Sequence, residues 1–241
     1  MSAEAPTPAA SPALAAPVPE GDASVSEAPP CAARTCAARE LGLELLDPGS
    51  VPLYRLFRHP GGDWDPTPAA YRHERADPPA GHKDAFAVLY LGDSLPAVAI
   101  ECRILRVDFA DNYTWLRSIA SQYEVVRYEF SQPAVFLPLD GGNRHKLGLA
   151  GRQRALGSKG PFQEAALALY ERFGRVVHGL SWESMHRDQA GRIYALWHEH
   201  KATIGLTRPG SRDYQRLVDD PEWHEFLTEH PAIEAIEDPS L

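Results

Sequence analysis

The sequence predicts a mixed α/β (α+β) domain of short strands with flanking helices, on three observations. Short apolar runs such as LYRLFR (53–58) and AVLYL (87–91) recur between breaks rich in Gly, Pro, Asp and Ser, as strands do. One stretch, opened by Gly160-Pro161, instead carries Phe162, Ala166, Leu169, Tyr170 and Phe173 on one face at helical spacing. No internal repeat organises the chain.

Taken in order, residues 1–38 are rich in Ala and Pro, and no aromatic precedes Tyr54. Such a segment buries too little apolar surface to offset its chain entropy, so it reads as a disordered N-terminal tail. ARELGLELL (38–46) reads as a short lead-in helix. Leu53 to Arg58 alternates as a strand. Gly61 to Lys83, dense in Gly, Pro, Asp and His, reads as a long irregular excursion of the kind that often carries function. After the strand 87–91, Gly92-Asp93-Ser94 breaks the pattern. Ser94 as N-cap and Pro96 in the first turn start a helix from Leu95 to about Arg103. Val125 to Phe130 and Ala134 to Leu137 are further strands. Beyond the Gly160 helix, Val176-Val177, Ser181-Trp182 and Ile193 to His198 read as short strands. Asp220-Pro221-Glu222-Trp223 opens a last, acidic helix to about Glu229. The expected organisation is the tail (1–38), a folded domain (39–207) and an acidic, helical C-terminal extension (208–241).

Composition excludes several classes. The 241 residues are 44% hydrophobic and 24% charged, enough for a packed core. No apolar run approaches the ~20 residues that span a bilayer, and the N-terminus lacks the pattern of a secretory signal. The three cysteines, Cys31, Cys36 and Cys102, make no disulfide framework, so a cytoplasmic setting is expected. A net charge of −9 argues against direct nucleic-acid binding. From Arg208 onward, three arginines face nine acids, a balance of −6. Asp140 to Gly160, by contrast, holds Arg144, Lys146, Arg152, Arg154 and Lys159 against Asp140 alone, and reads equally as an anion site or a solvated loop. Nothing in the sequence excludes a homo-oligomer.

The block VLYLGDSLPAVAIE (88–101) ends an apolar run on Glu101. Taken alone, Glu101 reads as an exposed helical glutamate at the edge of a core stripe. Tyr54-Arg55 in the first strand of the domain, Tyr90 just before the Glu101 helix, and GLSWES (179–184) after the amphipathic helix change that balance. Arg, Tyr, Glu and Ser from separate segments near strand edges suit a pocket for an anionic, sugar-bearing ligand.

In their order and spacing, LYRLFR (53–58), VLYLGDSLPAVAIE (88–101) and PFQEAALALYERFGRVVHGLSWESMH (161–186) resemble the RES domain, the toxin of RES–Xre toxin–antitoxin pairs. The resemblance spans roughly residues 50 to 200. It implies a fold related to ADP-ribosyltransferases and an enzyme that cleaves the nicotinamide–ribose bond of NAD+, passing ADP-ribose to water or phosphate. NAD+ is then substrate, with no further cofactor and no metal, and the implied partner is an Xre-type antitoxin that covers the pocket. Arg55, Tyr90, Glu101 and Ser184 fall on the family's motif positions. Arg75 corresponds to a second family arginine, followed here by Ala-Asp-Pro-Pro where an aromatic is usual.

The residue types suit that chemistry. Nicotinamide leaves NAD+ neutral, so no general acid is needed and the usual carboxylate pair of glycosidases is dispensable. One carboxylate, Glu101, suffices to stabilise a ribosyl oxocarbenium or hold the ribose hydroxyls. Arg55 offers the diphosphate a planar fork, Tyr90 a ring to stack on and a hydroxyl to bond. Ser184 holds a ribose or amide group, or orients Glu101.

Three alternatives stand beside this reading: ADP-ribose transfer to a macromolecule, a catalytically silent binding module, and a metal-dependent hydrolase. The last would use His198 and His200, whose imidazoles share a face if His198-Glu199-His200 is a strand, with His178 or His186 as third ligand.

Overall fold

The computed structural model describes residues 41–107, 112–149, 159–184, 191–208, 210 and 214–237. The expected tail (1–38) lies outside the described residues. In chain order the elements are β1 (Glu44–Leu46), β2 (Leu53–Phe57), β3 (Val88–Gly92), α1 (Leu95–Glu101), β4 (Leu105–Val107), β5 (Tyr113–Leu116) and α2 (Arg117–Ala120). They continue with β6 (Glu124–Tyr128), β7 (Ala134–Pro138), α3 (Gly141–Lys146), α4 (Gly160–Phe173), β8 (Gly179–Glu183), β9 (Arg192–Trp197), α5 (Pro221–Glu229) and β10 (Glu234–Ile236).

Among the described residues, seven strands form the main sheet in the order β1-β7-β8-β9-β3-β2-β6, and β10-β5-β4 form a second. In the main sheet only β7 and β8 run parallel. Their crossover contains α4, as parallel neighbours require a long connection. Alternation along the strands divides the sheet into two faces. Tyr54, Leu56, Val88, Leu180, Trp182, Ile193, Ala195 and Trp197 share one core with residues of α1, α4 and α5. Leu53, Phe57, Leu89, Leu91, Tyr194 and Leu196 pack on the other against Ile204 and Leu206 from a loop. Helices on one face and loops on the other make this an α+β fold.

The acidic C-terminal segment joins the first core. The N-cap Asp220 accepts from the backbone N–H groups of Glu222 and Trp223, Pro221 follows in the first turn, and Trp223 is fully buried against Trp115. Arg127 on β6 holds both Asp220 (2.8 Å) and Glu222 (3.1 Å), and the Tyr54 hydroxyl donates to Glu222 (2.7 Å).

Three expectations are corrected. In the described part of 38–46, Glu44–Leu46 is a strand and no helix forms: β1 pairs antiparallel with β7, and the Glu44 carboxylate takes Arg192 (2.9 Å) and the hydroxyls of Ser181 and Tyr194. Those bonds and the sheet ladder outweigh the helical propensity of Glu and Leu. Val176 ends the turn that follows α4 and Val177 lies between that turn and β8, so neither is in a strand. The strand starts at Gly179, where a Cβ would overlap the Ala195 carbonyl of β9. His198-Glu199-His200 lies in a 3₁₀ turn, His198–Lys201, not on β9. The second sheet, α2 and α3 were not anticipated. Within the basic stretch 140–160, α3 occupies Gly141–Lys146, and Arg152 and Arg154 lie outside the described residues.

Candidate functional site

Strands β2 and β3 are paired through the single register position Tyr54↔Gly92 and then separate. A cavity of about 950 Å3 opens beside this split, lined by Arg55, Arg58, Arg75, Tyr90, Glu101 and Trp182 among others. The volume is at the upper end of the ~300–1,000 Å3 usual for small-molecule sites.

Arg55 is 7% exposed. Its Nε donates to the Gly62 carbonyl (2.8 Å) and its Nη1 to the Tyr90 carbonyl (3.1 Å), so the side chain crosses the gap where the ladder has parted. Among the described residues no carboxylate pairs with it. A buried guanidinium is normally neutralised. This one keeps a permanent charge and three N–H donors uncommitted beside a cavity.

Glu101 arrives through local sequence. Ser94 caps α1, accepting from the Ala97 N–H. Gly92 lets the helix fold back on the strand, since a Cβ there would stand 2.6 Å from Val98 Cγ1. Ala97, Val98, Ala99 and Ile100 are buried and Glu101, the last residue, is exposed at the cavity. Arg103 then turns the chain in the left-handed region (φ 58°). The Ile104 N–H reaches the Ala99 carbonyl (2.8 Å), a C-terminal cap that leaves Ile104 and Leu105 in the core.

Tyr90 faces α1 from β3. Burial, then the Asp77 and Glu74 carboxylates, push its hydroxyl well above the usual tyrosine range, so it stays protonated and donates to Asp77 Oδ1 (3.2 Å). Asp77 is 3% exposed; burial raises its carboxyl, opposed by the backbone N–H of Glu74 that it accepts. Trp182 on β8 meets Tyr90 edge to face (centroids 6.4 Å) and donates its indole N–H to Glu101 Oε1 (3.3 Å). Cys102 also lines the cavity, but burial pushes its thiol up to about 12, so it is a neutral wall, not a nucleophile.

Charge in the cavity is inverted relative to the chain. Among the described residues that line it, Arg55, Arg58, Arg75, Arg103 and Lys159 face Glu74 and Glu101, and Lys159 pairs with Glu74 at 2.6 Å. Arg58 lies over the Tyr123 ring (5.7 Å) and Arg75 over the Phe162 ring (6.0 Å). The aromatic absent from the sequence after Arg75 is thus met in space by α4.

The structure therefore brings Arg55, Arg75, Tyr90 and Glu101 to one cavity. Ser184 is not among its lining residues. It follows β8 two positions after Trp182, is 7% exposed, and its hydroxyl has no hydrogen-bond partner among the described residues. Trp182, Asp77 and Glu74 were not singled out from the sequence; Lys159 was, as part of the basic stretch 140–160, and it lines this cavity. The expected histidine pair is not assembled: His198 Nε2 lies 3.3 Å from the Trp64 carbonyl and His200 Nε2 2.6 Å from the Gly174 carbonyl. His178 and His200 rings do meet (5.3 Å), but His178 Nδ1 accepts the Val135 N–H, and His186 lies outside the described residues. Among the described residues, no three His, Cys, Asp or Glu side chains cluster as metal ligands. No helix among them is long and apolar enough to cross a membrane.

The family model described as the RES domain matches residues 52–220. No curated protein matches the chain. Among solved structures, the chain resembles a chain of the M. tuberculosis MbcT–MbcA toxin–antitoxin complex, at 16% identity over 74% of this chain and 90% of that one, with a TM-score of 0.47.

Proposed function

Because the chain belongs to the RES domain family, we propose that it consumes NAD+ by cleaving the bond between nicotinamide and ribose. The observation that carries this reading is Arg55, a buried cation without a carboxylate partner among the described residues, lining one cavity with Glu101. A guanidinium so placed suits the diphosphate of a dinucleotide, and its two main-chain bonds fix the fork before the ligand arrives.

In the proposed reaction the C–N bond breaks with its electron pair going to the nicotinamide nitrogen, which leaves neutral. Positive charge develops on the ribose, and the Glu101 carboxylate stabilises it. Preorganised charge of this kind lowers a barrier by about 3–4 kcal/mol. Water or phosphate then attacks through oxygen, and water's proton is released to solvent. The Tyr90 hydroxyl is committed to Asp77, so its ring, set against Trp182, is what it offers a bound base. Arg75, with no carboxylate partner among the described residues, adds to the attraction for the diphosphate. Ser184 holds a motif position of the family, but its hydroxyl bonds neither Glu101 nor any other described residue and does not line the cavity, so no step is assigned to it.

The biological setting follows the same resemblance. The enzyme would act in the cytoplasm as the toxic half of a toxin–antitoxin pair, with an Xre-type antitoxin covering the cavity. The test is to incubate the purified protein with NAD+, with and without phosphate, and identify the products. Free nicotinamide with ADP-ribose means hydrolysis, and a phosphorylated ADP-ribose means phosphorolysis. Label retained on a macromolecule would favour ADP-ribosyl transfer, and intact NAD+ would refute the proposal.

A further inference from the structure

Glu101 stands in a poor place for a carboxylate to hold one position. It ends α1, where the helix's terminal carbonyls repel negative charge, and no basic residue lies in that last turn. The side chain is exposed, so a glutamate there would sample several rotamers toward water. Among the described residues, its one hydrogen-bond donor is the Trp182 indole N–H, at 3.3 Å.

Trp182 is itself well fixed. It is 8% exposed and belongs to β8, which lies inside the sheet between β7 and β9. Its ring edge-packs on Tyr90, which Asp77 holds by the hydroxyl. Packing does not by itself require an indole N–H to find an acceptor in this protein. Trp197 and Trp223 are fully buried and their Nε1 atoms have none. The Trp182 N–H differs in pointing at the carboxylate that lines the cavity.

From this geometry we infer that Trp182 is a positioning residue for Glu101, selecting the rotamer that faces the reacting ribose. The inference rests on the NAD+ reading of the site. Because the carboxylate matters most as ribosyl charge develops, loosening it costs transition-state stabilisation more than substrate binding. Even an ångström of misplacement is costly at a reacting centre.

The test compares the parent full-length chain with Trp182→Phe, which keeps an aromatic ring and loses the donor. A second variant carries 3-benzothienylalanine at 182, which replaces the N–H by sulfur and keeps the bicyclic shape, so folding is preserved if phenylalanine leaves a void. Expected is a fall in kcat of about tenfold in both, with KM for NAD+ within about twofold of the parent and melting of the isosteric variant unchanged. Parent-like kcat in the folded isosteric variant, or a rise in KM at constant kcat, would overturn the positioning role alone. A parent protein that leaves NAD+ intact would overturn the site reading and this inference with it.

Discussion

The Tyr90 and Trp182 rings meet edge to face at 6.4 Å, and each is held by a carboxylate, Tyr90 by Asp77 and Trp182 by Glu101. The two aromatics come from β3 and β8, separated in the sheet only by β9. Sheet order thus brings the Glu101 block and the GLSWES block together at one cavity, while Arg55 spans the gap on the other side of β3.

Replacing Glu101 by Gln should lower NAD+ turnover by roughly a hundredfold or more while leaving the fold intact. The swap keeps size and a hydrogen-bond acceptor for Trp182, and removes only the charge. Glu101 is exposed at a helix end, so the melting temperature should move little. Turnover near the parent's in the folded variant would remove Glu101 from the mechanism.

Arg55→Lys should reduce kcat/KM at least tenfold and also lower stability. Lysine keeps the charge but cannot serve the Gly62 and Tyr90 carbonyls and still present a fork to a diphosphate. Losing one such bond to a buried charged group costs about 1.5–3 kcal/mol, enough to displace melting by several degrees. Kinetics and melting matching the parent would show that the diphosphate binds elsewhere in the cavity.

How much of this was legible in the chain differs by residue. VLYLGDSLPAVAIE declares strand, turn and helix because Gly92, Ser94 and Pro96 act locally. Glu101 and Tyr90 could therefore be placed. Trp182 could not be tied to Glu101, because their bond joins residues 81 positions apart. Asp77 and Glu74 sit in the irregular excursion, where no periodicity marks a direction. β1 looked helical because its Glu and Leu residues have that propensity, while its actual conformation is decided by pairing with Ala134–Phe136. β4, β5 and β10, of 3, 4 and 3 residues, are too short for alternation to show.

Stability should fall on mild acidification, and His178→Asn should lessen the fall. Burial, and then His200, lower the His178 pKa from its ordinary value, and its Nδ1 must be unprotonated to accept the Val135 N–H (2.8 Å). The folded state thus binds this proton less readily than the unfolded chain. The linked stability is fully present above about pH 6.5 and is lost as pH drops below it. His198, lowered mainly by burial, contributes with the same sign, so the variant removes only part of the effect. Urea denaturation at pH 7.5 and 5.5 measures it, and an equal pH dependence in parent and variant would contradict the role of His178.

The N-terminal boundary gives the last prediction, because two truncations that differ by a few residues should behave oppositely. Deleting residues 1–38 should leave melting and NAD+ turnover unchanged, since that composition offers no core-forming pattern. Deleting residues 1–46 should destabilise the protein, although the family match begins only at residue 52. Gly42 exchanges two hydrogen bonds with Asn143, each 2.8 Å. β1 completes the ladder of β7, and Glu44 neutralises Arg192 at a site where Asp140 is the remaining carboxylate (3.3 Å). Glu44→Ala alone should cost about 1–3 kcal/mol, as removal of one partner leaves Arg192, Ser181 and Tyr194 under-satisfied. If the longer deletion melts with the full chain, β1 is dispensable. If the shorter one already melts lower, residues before 39 are part of the folded unit.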